Sequence, residues 1–135
     1  MITKNSLELS DLKAMAGAAE AEALRRNVPV SIAICDEGGH LLWFQRMDGV
    51  SLLSASMCQA KARTAAISGR PSKLFQQVID GGMIALGNAQ YMEGALEGGV
   101  PLLVDGRVVG AIAASGGPGE DDAGIAAVGA AALEL

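Results

Sequence analysis

The residues predict an α+β fold, an antiparallel sheet with helices packed against it. Two observations carry that reading. Two hairpin signals, Gly38-Gly39 and Asp105-Gly106, each join short apolar runs, and stretches with helical spacing of apolar residues precede, separate and follow them. The order helix, hairpin, helices, hairpin, helix pairs the strands antiparallel and leaves each helix an apolar stripe that a sheet face can cover.

The first helix opens at Ser10, a cap candidate followed by Asp11. Leu12, Met15, Ala16, Ala19, Ala23 and Leu24 then recur at helical spacing until Arg25, Arg26 and Asn27 close it. "VPVSIAICDEGGHLLWFQRMDG" reads as two strands, Val30 to Cys35 and His40 to Met47, around a turn in which Gly38 and Gly39 supply positive φ. Ser51 to Ser68 holds helix formers without a break, and Gly69 with Pro71 stops it. Its Ala and Ser side chains allow it to lie close to the sheet. "PSKLFQQVIDG" gives a short third helix with Ser72 as cap, whereas Gly81 to Gly99 is interrupted by glycine and shows no clear period. "VPLLVDGRVVGAIAAS" is two apolar strands around Asp105-Gly106, and a last helix starts near Glu120.

At 135 residues the chain suits one domain, 1–135, able to bury roughly two-thirds of the surface its unfolded form exposes. Half of it is hydrophobic but only 3% aromatic, with 18 Gly, so it packs close backbones in place of large rings. A net charge of −5 with ten scattered Lys and Arg lacks the basic face that nucleic acid requires. Cys35 and Cys58 form no C-x-x-C pair, and one His cannot complete a four-ligand zinc site. Two isolated cysteines, no apolar leader and no run of about 18 apolar residues point to a cytoplasmic protein outside the membrane.

Four blocks, "CDEGGHLLWFQRMDG", "KARTAA", "GGVPLLVDGRVVGAIAASGG" and "EDDAGIAAVGA", resemble in order and spacing the signatures of the GlcG/HbpS family, which includes the C-terminal domain of PduO-type proteins; the likeness spans about residues 30 to 130. The resemblance implies a profilin-like sandwich, homo-oligomers of two or more copies, and for several members haem or a related corrin-type ligand. The family pattern has Gly and Val where this chain has Ala113 and Ala114, and Gln and an acid around the position of Asp122 where this chain has Asp121 and Ala123.

Within that frame His40, the only imidazole, is the candidate iron ligand, set against the plainer reading of a solvated residue at a hairpin mouth. Met47, Cys58 and Thr64 are alternative donors better explained by core packing. Arg46 can fork onto a carboxylate or propionate, or pair with Asp36 or Asp48. Lys61 has Met57, Cys58, Thr64 and Ala65 as helical neighbours, so its ammonium must snorkel, pair with an acid or titrate low. The resemblance of "KARTAA" to a family signature adds a role in holding a carboxylate or moving a proton. Ser115 and Gly116 offer donors before the last helix. Glu120, Asp121 and Asp122 fill its first turn, where they satisfy the helix dipole and repel an outside anion.

The leading expectation is a GlcG/HbpS-type protein that binds haem or another small anionic ligand near His40, Arg46, Lys61, Ser115 and Gly116. The alternative is an isomerase, hydratase or lyase of a small carboxylate, with Lys61 as proton carrier and Arg46 as anchor. A structural or accessory partner is a third.

Overall fold

A computed structural model describes residues 1–133. Helix α1 (Leu9–Arg26) is followed by β1 (Ser31–Asp36) and β2 (Leu41–Arg46), then by α2 (Leu53–Ser68) and α3 (Ser72–Asp80). Short 3-10 turns at Ile84–Asn88 and Met92–Gly94 lead to β3 (Gly99–Val104), β4 (Arg107–Ser115) and α4 (Gly119–Ala131). The four strands lie in the order β2-β1-β4-β3, each antiparallel to its neighbours. The expected α+β sandwich is the fold found.

Strand alternation sorts the core into two layers. Ile32, Ile34 and Ile112 face α1 and α4, meeting Leu12, Met15, Ala19, Ile125 and Ala126. Ala33, Cys35, Ala111 and Ala113 face α2, meeting Cys58, Ala62, Ala65 and Ala66. The apolar members of the second layer are only Ala and Cys, so α2 rides close on the sheet, as its small side chains suggest. Cys35 and Cys58 are free and buried there, and burial pushes both thiols up to about 12.

Three local expectations change. The cap of α1 is Glu8, two positions before Ser10, because the Glu8 N–H donates to Asp11 Oδ2 at 2.8 Å and reciprocal bonding fixes the turn there. Pro71 precedes α3, and Ser72 is its first residue; the Ser72 hydroxyl donates to the Leu96 carbonyl at 2.5 Å and accepts from the Gly99 N–H at 2.8 Å, tying the helix start to β3. In the first hairpin only Gly39 (φ +81) takes the left-handed conformation. The expected Asp105-Gly106 turn has both residues at positive φ, 52 and 77.

Candidate functional site

A polar recess is built where α2, α4 and the end of β4 converge. It encloses about 430 Å³ and is lined by Ser51, Ser54, Met57, Lys61, Gln76, Glu97, Ser115 and Gly116, among others. Lys61 projects from the sheet-facing side of α2, where its neighbours are Ala and Cys, and its side chain is only 5% exposed. An ammonium there needs a partner. It finds Asp122 Oδ2 and the Ala114 carbonyl, each 3.2 Å from Nζ.

Asp122 is as buried as Lys61 and belongs to the first turn of α4, yet its role exceeds capping. Its Oδ1 accepts the Gly117 N–H at 2.9 Å, so loop donors that could have held an outside anion are turned onto an internal carboxylate. Burial raises the Asp122 carboxyl above its ordinary range, against the Lys61 ammonium and the Gly117 N–H, which draw it down. Gly98 (φ +140) closes one wall: a side chain there would come within 2.9 Å of Lys61 Nζ. Ser115 is 6% exposed, pairs across the sheet with Ser31 and so faces α2, and its hydroxyl has no hydrogen-bond partner among the described residues.

Of the residues singled out in the sequence, the structure thus brings Lys61, Ser115 and Gly116 together. His40 and Arg46 line other surfaces. His40 stands at the tip of the first hairpin with its side chain 82% exposed, and Nδ1 lies 3.2 Å from Asp36 Oδ1. Asp36 Oδ1 also accepts the His40 N–H at 2.9 Å, fixing the ring's base and leaving Nε2 without a partner among the described residues. Beside it, Leu41, Leu42 and Phe44 of the edge strand β2 are exposed. Arg63 of α2 crosses the turn so closely that a side chain at Gly39 would meet its Cγ at 2.7 Å. Arg46 lines a shallow hollow with Glu20, Leu24, Met47 and Asp48, separate from the recess at Lys61.

The remaining candidates are structural. Cys58 and Thr64 lie on the buried side of α2, and Met47 packs on the first core layer. Among the family departures, Ala113 and Ala114 are buried strand residues, and Asp121 turns to Arg26 of α1 at 3.0 Å. What the sequence could not supply was the partner of Lys61, 61 positions away. Arg63 was missed because nothing in its local pattern sets it apart from a solvated helix residue.

Comparison with known proteins agrees with this architecture. The family of Haem degrading protein HbpS-like matches residues 7–131. Protein GlcG of Escherichia coli (strain K12) is 41% identical over 115 residues, which are 85% of each chain. A crystal structure of a Streptomyces reticuli HbpS double mutant superposes with a TM-score of 0.91 at 28% identity, covering 100% of this chain and 92% of that one. A crystal structure of a PduOC:haem complex does so with a TM-score of 0.87 at 30% identity over 96% of both chains. With its sheet order, its two core layers and nearly its whole length accounted for, the chain belongs to the HbpS-like family.

Proposed function

We propose that this protein binds haem or a related anionic tetrapyrrole on the open edge of the sheet, with His40 as the iron ligand. The observation that carries this reading is the state of the imidazole. Asp36 holds Nδ1, which orients the ring and makes Nε2 a better donor, the usual support for a metal-bound histidine. The surroundings fit the rest of such a ligand: Leu41, Leu42 and Phe44 give an exposed apolar wall for a macrocycle, and Arg63 across Gly39 supplies a cation for a propionate. Bound haem would supply a redox-active iron; the chain's own residues would orient it and set its solvent access. The haem complex of the similar PduOC structure supports the ligand class.

Titration with hemin tests it. Wild type is expected to shift and sharpen the Soret band at one equivalent, and His40→Ala to lose the shift. Asp36→Asn is expected to keep the band with weaker affinity, about 10-fold or more, through loss of the supporting carboxylate. An unchanged spectrum in His40→Ala refutes the assignment.

The geometry does not favour the reading in which Lys61 catalyses on a small carboxylate anchored by Arg46. The two cations line separate hollows, and the charge of Lys61 is taken up by Asp122.

The same reading includes self-association. Helix α3 buries only Ser72, although Leu74, Phe75, Val78 and Ile79 share one of its faces, and Met83 and Ile84 beyond it are exposed. A second copy covering this face suits the homo-oligomer that family resemblance implies.

A further inference from the structure

We infer that the recess floored by Lys61 and Asp122 is a second binding site, for an uncharged, hydroxyl-rich molecule no larger than a monosaccharide. The inference starts from what is satisfied there and what is not. The ammonium of Lys61 has three N–H groups, of which Ala114 and Asp122 accept two among the described residues. Ser115, more than nine-tenths buried and facing α2, has a hydroxyl with no protein partner, and it lines the same hollow. No buried side-chain nitrogen or oxygen among the described residues lacks a partner, so both donors open onto the recess, where water or a guest serves them. Two unspent donors at the floor of a recess of about 430 Å³ therefore mark a place where a guest's oxygens are received.

Charge selects the class of guest. The lining carries one cation, Lys61, against two carboxylates, Glu97 and Asp122, and Glu97 also takes Lys73 at 3.3 Å. A carboxylate or phosphate would meet both acids and would have to displace Asp122 from Lys61 and from the Gly117 N–H. A cation would sit against the Lys61 ammonium. A neutral molecule escapes both penalties, and the hydroxyls of Ser51 and Ser115, the Gln76 amide and the Glu97 carboxylate offer donors and acceptors in the mixture that successive hydroxyl groups require. The recess admits a molecule of several carbons, and none of its lining belongs to the first hairpin, so this site is distinct from the strand edge at His40.

Two-dimensional amide NMR with glycerol, erythritol and xylitol as probes, and xylonate as the charged counterpart of xylitol, tests the inference. At least one polyol is expected to shift the Gly116, Gly117 and Gly119 amides saturably, and xylonate to bind about tenfold more weakly than xylitol or worse. Ser115→Ala is expected to weaken the polyol about tenfold while its melting temperature and its hemin spectrum stay as in wild type, since the hydroxyl supports no contact in the free protein. Saturable binding to none of the three polyols, xylonate binding as well as xylitol, or wild-type affinity in Ser115→Ala would each overturn it. His40→Ala retains the polyol response, so failure of the haem reading and failure of this one are separable.

Discussion

Lys61 could be read in the sequence as a residue with a problem, and its solution could not. Helical spacing shows that its stem crosses an apolar face, but which acid relieves the ammonium depends on how α4 docks, and Asp122 has a sufficient local explanation as a first-turn acid. Such a pair is expected to behave asymmetrically on mutation. Lys61→Met alone leaves Asp122 buried with the Gly117 N–H but without its cation, and is expected to cost about 3–5 kcal/mol. Lys61→Met with Asp122→Leu removes both charges and is expected to recover most of that loss, as measured by urea denaturation. A double variant as unstable as the single one would show that the backbone bond from Gly117 matters more than the ion pair. The pair also sets a sign on pH dependence. Burial raises the Asp122 carboxyl, so the native state holds this proton more tightly than the unfolded chain does. Its contribution to stability is therefore full below the unfolded value of about 3.9 and is lost as pH rises through the native one. Following the Asp122 carboxyl carbon by NMR during a pH titration is expected to give a midpoint above about 3.9, and a midpoint at or below it contradicts the assignment.

Elements divide by whether their cause is local. The two hairpins were legible because a turn is decided by a few adjacent residues: Asp105 and Gly106 adopt the positive φ that an Asp-Gly turn requires, and the flanking apolar runs pair as β3 and β4. Helices α1 and α2 were legible from spacing, and the poverty of large side chains in α2 foretold its close approach to the sheet. Residues 81–99 were not legible. That stretch folds into two 3-10 turns whose placement comes from distant groups: the Thr64 hydroxyl donates to the Tyr91 carbonyl, and the Glu97 N–H donates to Gln76 Oε1 at 2.8 Å. No periodicity encodes such contacts. The same logic explains Ser72, which looks like a cap in sequence and serves instead as a clamp between α3 and β3. At the first hairpin the sequence offered both His40 and Asp36, and only the backbone path of the turn shows that one holds the other.

At the scale of the whole molecule, the sheet is covered on one side by α1 and α4 and on the other by α2, which leaves the apolar face of α3 only partly covered. Leu74 is 37% exposed, Met83 59% and Ile84 75%, and all three lie in one stretch of chain between α2 and β3. Scattered apolar side chains on a surface need no explanation, but a face of an amphipathic helix continued by two more large side chains does. An interface of standard size buries ~800 Å² on each partner, and such a patch with its rim can supply an area of that order. Velocity sedimentation at tens of micromolar is accordingly expected to show wild type as a dimer or larger assembly. Leu74→Lys with Ile84→Lys, which places two ammonium groups on that face and disturbs no buried residue, is expected to reduce it to the monomer. Because the recess at Lys61 is lined partly by Gln76 of α3, the same variant is expected to alter how fast a polyol exchanges, while hemin binding at the distant β2 edge stays unchanged. An assembly that survives the double substitution would move the interface to the other exposed apolar strip, Leu41, Leu42 and Phe44, and would then place it in competition with the haem site.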